Sequence, residues 1–322
     1  MRAAVIEAAG EPPRCVEQPR PTAAPDRMTI AVRAAPITPL DKLCAGGTSY
    51  FGRPATPYVP GVQGVGTVEH GIDPIPAGTL VWFATAAGMT PGDGSMREVA
   101  TAVERDVVPL RADVDPVLVA GLGLSAVAAW MALTWRGGLA AGEQVLVLGA
   151  GGVVGQSAIQ LARLAGAGRV VAAARSVSAR EQALTLGADA AVALEPDDEP
   201  DALAQRLLEA CASPVDLVLD PLFGVPAAAA ARTLRTGGRL VNLGSSAGET
   251  APLESAVIRS KHLHVLGYTN NELSPQQRRE ALVLVAEHAA AGRLTVEHRA
   301  VPLPEVTDAW TRGGGGRVVL IP

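Results

Sequence analysis

Between Gly142 and Gly267 the chain alternates short, mostly apolar runs with segments of helical period, a texture that few folds can accommodate. The runs occupy 144–149 (QVLVLG), 169–174 (RVVAAA), 190–194, 215–220 (VDLVLD), 239–244 and 262–267, and the helical segments include 153–165, 178–186, 201–212 and 225–234. Strands that are apolar on both faces must be covered on both, and parallel strands need crossover connections, which supply that cover. The pattern therefore predicts an α/β fold built on a doubly wound, six-stranded parallel sheet.

The first run hands over to its helix through GAGGVVG (149–155). Glycines there let the backbone turn tightly and let a pyrophosphate approach the helix N-terminus, whose free N–H groups favour an anion. Gly149, Gly152 and Gly155 are spaced three apart, a departure from the commoner G-x-G-x-x-G because position 154 is Val. Gly149, Gly151, Gly152, Val153, Val154 and Gly155 are the candidate pyrophosphate contacts. About twenty residues beyond such a turn, an NAD enzyme carries Asp or Glu for the ribose 2′-hydroxyl. This chain has Ala174 followed by Arg175 and Ser176. A guanidinium and a hydroxyl in place of a carboxylate suit a 2′-phosphate and predict NADPH as cofactor. The plainer alternative is that Arg175 is a solvated loop charge.

Residues 1 to about 115 are rich in Pro and Gly, with β-like runs at 28–34, 64–69 and 79–84, and read as an irregular, mostly β domain. An amphipathic helix at 275–291 and a terminal strand at 317–321 follow the parallel sheet, and that strand is placed to return to the first domain. From 116 to 135 no charge interrupts the chain, a length that spans a bilayer in principle. Gly121, Gly123, Ser125 and Thr134 break it up, and a doubly covered sheet needs buried helices of this composition, so no membrane is expected.

Composition narrows the partners. Aromatic residues make up 3% of the chain, and 27 Lys and Arg face 32 Asp and Glu for a net charge of -5. Without aromatic platforms or a basic run, nucleic acid is not an expected partner. Cys15, Cys44 and Cys211 form no Cys-x-x-Cys pair, and the opening residues reach Glu7 without the apolar core of a secretory signal. A reducing cytoplasm is the expected location.

Collectively, TPLD (38–41), PYVPGVQGVGTVE (57–69), GSMREVATA (94–102), GLGLSAVAAWMAL (121–133), GAGGVVGQSAIQLA (149–162), LGADAAV (186–192), LRTGGRLVNLG (234–244) and GRVVLIP (316–322) make the chain resemble the medium-chain dehydrogenase/reductase superfamily, within it the zinc-free quinone oxidoreductase (zeta-crystallin-like) branch. The resemblance implies a GroES-like catalytic domain from both chain ends, 1–118 and 269–322, and a Rossmann NADP(H)-binding domain at 119–268. It also implies that Ser125 and the turn at Gly244, Ser245 and Ser246 face the cofactor. Zinc-dependent members place Cys where this chain has Thr38 and His where it has Val62. A catalytic zinc needs three soft or imidazole donors, so no metal is expected. Cys44 falls beyond the matching position and reads as a packed thiol. Related quinone reductases carry Asn-Pro-x-Asp where this chain has Thr38-Pro39-Leu40-Asp41.

The expected function is a zinc-independent, NADPH-dependent reductase of a quinone or an α,β-unsaturated ketone, aldehyde or thioester, because a conjugated acceptor delocalises the charge that hydride addition creates. Thr38, Asp41, Tyr50, Tyr268 and Asn270 are the candidate pocket residues, with Thr38 as a donor to the substrate carbonyl and Tyr50 or Tyr268 as proton sources. A protein that binds NADPH as a redox sensor without turnover is the alternative. GSSAG (244–248) matches a serine nucleophile elbow but is followed by Glu249-Thr250-Ala251-Pro252, not by a helix start. His262 and His264 are expected on one face of the sixth strand as an edge or interface feature, and the glycines at 313–316 as a flexible loop. The apolar run 263–266, as an exposed sheet edge, predicts a homodimer.

Overall fold

Val, Ile and Ala runs cut short by Gly and Pro favour extended backbone. The N-terminal residues accordingly form strands β1 (Arg2–Val5), β2 (Arg14–Glu17) and β3 (Met28–Pro36), helix α1 (Pro39–Gly46), then β4 (Gln63–His70), β5 (Leu80–Ala84), β6 (Val99–Ala102) and β7 (Val107–Pro109). Helix α2 (Pro116–Met131) leads into β8 (Gln144–Leu148), α3 (Val153–Leu164), β9 (Arg169–Ala174), α4 (Val177–Thr185), β10 (Ala190–Ala193) and α5 (Pro200–Cys211). The series continues through β11 (Val215–Asp220), α6 (Gly224–Thr233), β12 (Leu234–Asn242), α7 (Ser255–Ser260) and β13 (His264–Gly267). Helix α8 (Pro275–Ala290), β14 (His298–Pro302), α9 (Val306–Thr311) and β15 (Arg317–Ile321) complete it. The computed structural model describes residues 1–22, 24–312 and 316–322. Of the glycine loop expected at 313–316, Gly313, Gly314 and Gly315 lie outside the described residues.

The chain divides into two units, Met1–Gly123 with Leu282–Pro322, and Leu124–Ala281. In the second unit the sheet order is β10-β9-β8-β11-β12-β13, parallel throughout. The order reverses between β8 and β11, the point at whose carboxyl ends open α/β sheets bind ligands. Leu146, Leu148, Val171, Val218 and Leu240 of the strands pack with Leu203 and Leu207 of α5 and the alanines of α6, whose small side chains let that helix lie close to the sheet.

In the first unit a sheet of order β14-β15-β3-β4-β5-β7, with β6 also paired to β3, surrounds a core in which Met28, Ile30 and Phe83 are fully buried. Strand β15 does return to this unit, pairing Val319 with Pro36 and Leu320 with Ala35.

Two expectations need correction. The units part at Leu124 and Ala281, not at 119 and 268. Helix α2 is broken at Gly123, whose φ of 32° and ψ of -131° lie outside the helical region. Beyond the break, the Leu124 carbonyl accepts a bond from Asn270 Nδ2 at 3.0 Å, which ties residues past 268 to the second unit. His262 is not on the sixth strand: it sits in the preceding turn with φ of 51°, and β13 begins only at His264, so the two imidazoles do not alternate along one strand. The uncharged stretch behaves as expected. Among the described residues, Pro116–Arg136 is the one helical stretch apolar and long enough to cross a membrane, and two thirds of its most apolar window is buried within the protein.

Candidate cofactor and substrate sites

Strand β8 ends at Leu148, and Gly149 turns the chain with φ of 66°, while Ala150 N–H donates to Ala173 O at 3.0 Å and Gly152 N–H to Gly149 O at 3.1 Å. Gly152 is the N-cap of α3 and has no side chain with which to satisfy the helix's first N–H groups. A Cβ on Gly155 would stand 2.4 Å from Gly149 O, so the helix can start this close to the strand only with glycine there. Gly152 is exposed, Gly151 and Val154 are half-buried, and Val153 and Gly155 are buried. The turn thus presents uncapped N–H groups at a helix N-terminus, a fit for a pyrophosphate.

At the end of β9, Arg175, Ser176 and Ser178 are exposed. Ser176 caps α4 by accepting from Ala179 N–H at 3.2 Å, and its hydroxyl lies 3.3 Å from that of Ser178. Arg180, which sequence reasoning missed, donates from its guanidinium to the carbonyls of Arg175 at 2.7 Å and Ala174 at 3.2 Å. Two guanidinium groups and two hydroxyls therefore gather where a carboxylate would select the unphosphorylated ribose. Their chemistry fits a 2′-phosphate.

The turn after β12 rests on the loop after β11. A Cβ on Gly244 would lie 2.8 Å from Pro221 O, and Ser246 Oγ donates to that carbonyl at 3.2 Å. Ser245 Oγ donates to Glu249 Oε1 at 2.6 Å, and the chain stays non-helical until Ser255, so no nucleophile elbow forms. Nearby, the Tyr268 hydroxyl donates to Asn270 Oδ1 at 2.7 Å, and its ring meets Trp135 edge-on at 6.3 Å between centroids. Burial pushes the Tyr268 phenol well up. Ser125, half-buried, follows the Leu124 carbonyl that Asn270 binds.

In the first unit, Thr38 and Asp41 close a capping box on α1: Thr38 Oγ1 accepts from Asp41 N–H at 3.2 Å, and Asp41 Oδ2 accepts from Thr38 N–H at 2.8 Å. The Thr38 hydroxyl also donates to Asp41 Oδ2 at 2.6 Å, and Asp41 Oδ1 accepts from the N–H groups of Gly61 at 3.1 Å and Val62 at 2.9 Å. Both side chains are buried, so Thr38 is corrected from a donor to substrate into a structural cap whose proton is already used. Burial raises the Asp41 carboxyl above the ordinary range, opposed by these bonds and by the charge of Arg317. Arg317, anchored to Ile37 O at 2.8 Å, is brought down by burial to about 10 and stays charged near neutrality. Tyr50, unlike this buried cluster, is 78% exposed, with its ring 4.3 Å from that of Phe51 and tilted 36° to it. Cys44 is a fully buried thiol, as a packing role requires. Among the described residues, no three His, Cys, Asp or Glu side chains gather to hold a metal.

Residues 153–287 match the family model described as zinc-binding dehydrogenase. The quinone oxidoreductase of Lama guanicoe is 27% identical over 304 residues, which cover 92% of this chain and 88% of its own. The crystal structure of the quinone oxidoreductase from Thermus thermophilus, also solved in complex with NADPH, is 27% identical and covers both chains completely with a TM-score of 0.81. Together these likenesses support the medium-chain dehydrogenase/reductase superfamily and, within it, the quinone oxidoreductase branch. Thr38 and Val62 both lie outside the stretch matched by that family model. A phenolphthiocerol/phthiocerol polyketide synthase of Mycobacterium tuberculosis is 28% identical over 268 residues, or 77% of this chain. The chain spans only 12% of that much longer relative.

Proposed function

We propose that the protein is an NADPH-dependent, zinc-independent oxidoreductase that reduces a quinone or an α,β-unsaturated carbonyl compound. The observation that carries the reading is the end of β9, where Arg175, Ser176 and the tethered Arg180 replace the carboxylate that would favour NADH. NADPH, when bound, supplies the hydride. The N-terminus of α3 and the glycine turn would hold its pyrophosphate, Arg175 and Ser176 its 2′-phosphate, and the Gly244–Ser245–Ser246 turn with Ser125 would border it.

Zinc independence is supported by the donor set: Thr38 and Val62 supply neither thiolate nor imidazole, and the Thr38 hydroxyl is bound to Asp41. Without a Lewis acid, and with the Tyr268 proton held by Asn270, the substrate must carry its own electron sink. A conjugated acceptor does, and its anion persists long enough to take a proton from water or from exposed Tyr50. The free thiols Cys15, Cys44 and Cys211 favour a reducing cytoplasm. Strand β13, at the sheet edge with Val265 41% exposed, favours a homodimer in which a second copy covers it.

The test follows NADPH absorbance with a quinone, an enone and the saturated ketone that differs from the enone only by the double bond, with and without a zinc chelator. The quinone and enone should be consumed steadily in both conditions, and the saturated ketone at least about tenfold more slowly. Equal rates for enone and ketone would defeat the conjugated-acceptor reading, loss of turnover with chelator would defeat zinc independence, and binding without consumption would favour a redox sensor.

A further inference from the structure

The carboxylate of Asp220, at the carboxyl end of β11, is 0% exposed. Its Oδ1 accepts from the N–H groups of Leu222 at 2.9 Å and Phe223 at 2.8 Å, and its Oδ2 accepts from Asn242 Nδ2 at 3.0 Å. Asn242, at the end of the neighbouring strand β12, also donates to Gly244 O at 2.8 Å. Between these anchors Phe223 has φ of 57° and ψ of -154°, backbone that glycine tolerates and a bulky residue adopts only when its surroundings enforce it.

The loop so restrained, 221–224, is the surface on which both cofactor-side turns rest. A Cβ on Gly149 would lie 3.0 Å from Leu222 Cδ2 and 3.1 Å from Pro221 Cγ, so the pyrophosphate turn packs directly on it. From the other side, Ala247 N–H donates to Leu222 O at 2.8 Å. We infer that Asp220 is a positioning residue for the dinucleotide: by clamping Phe223 and Asn242 it presets the loop against which the glycine turn and the Gly244 turn are both seated. This rests on the proposed use of NADPH and adds to it a buried group that touches no part of the cofactor.

The test is direct binding of NADPH and NADH, by fluorescence titration, to the wild-type protein and to D220N and N242A, with thermal unfolding recorded for each. Asn at position 220 keeps an acceptor for the loop but turns a donor toward Asn242 Nδ2, so one end of the clamp is lost. D220N should weaken both dinucleotides equally, by about tenfold, because the pyrophosphate is common to them. N242A should shift binding in the same direction, which covers the case in which D220N does not fold. Wild-type affinity in D220N, or a lowered melting temperature with unchanged affinity, would overturn the inference. A wild-type protein that binds neither dinucleotide would instead remove the cofactor reading, and the inference with it.

Discussion

Arg175 stands exposed in the position from which a side chain meets the 2′-substituent of the ribose in this kind of fold, and it is the residue on which cofactor choice turns. Removing a charge-assisted pair to phosphate costs about 10-fold to 150-fold in affinity. Arg175→Ala should therefore weaken NADPH by that order and leave NADH nearly unchanged, as read from the two dissociation constants; equal losses would mean the guanidinium only decorates the loop. Arg180 is different. Its guanidinium already serves the carbonyls of Ala174 and Arg175, so its loss should loosen the start of α4 as well. Counting from the glycine turn finds Arg175, because the distance along a βαβ unit is nearly constant. No count finds Arg180, whose partners are backbone atoms of the preceding bend.

At the scale of elements, α1 shows how a short helix is secured and how that security depends on pH. The Asp41 carboxyl is raised above its ordinary value by burial, so in the window from about pH 4 up to its folded value the native state holds the proton that the unfolded state has released. Stability contributed by this group is complete below that window and is lost as pH rises through it. Asp41→Asn, which does not titrate, should be less stable than wild type by about 1–3 kcal/mol, having a donor where Thr38 N–H needs an acceptor. That deficit should shrink as pH rises from 4 to 7 in urea unfolding series, and a deficit that grew would reverse the assigned direction.

The same helix marks the limit of reading a sequence. The parallel strands and their crossovers were legible from 144 to 244 because apolar period and glycine turns are local signals, accurate here to within a residue or two for α3 to α6. Thr38-x-x-Asp41 is equally local and has the spacing of a capping box, yet the family resemblance, through its Asn-Pro-x-Asp segment, suggested a substrate pocket. Only three-dimensional burial, with Gly61 and Val62 brought to the carboxylate from twenty residues away, decides the matter. The turn at His262 escaped for the opposite reason, since its backbone conformation leaves no mark on apolar periodicity. The bond between Asp220 and Asn242 joins side chains on neighbouring strands and has no linear signature at all.

For the molecule as a whole, the sheet edge at β13 gives the clearest expectation. His264 and Val265 are exposed there, and an apolar edge invites pairing. Light scattering at micromolar concentration should report twice the monomer mass, and Val265→Lys, which sets a charge on the edge, should move the population toward the monomer. A wild-type protein of monomer mass would dismiss the second copy.

The return of β15 to β3 also dictates an order of events as the chain is made. The unit Leu124–Ala281 is contiguous, whereas the unit that begins at Met1 lacks β14, β15 and the core residues Trp310 and Leu320 until the end of the chain is produced. At roughly 5–20 residues per second, the stretch from Ala281 to β15 takes about 2–7 s to emerge. During that interval the later-starting unit has everything it needs, and the earlier one holds the Ala35–Pro36 end of β3 without its final partner. The unit that starts earlier is therefore completed after the one inserted within it, and the nascent chain must keep that open edge from pairing with a neighbour until β15 arrives.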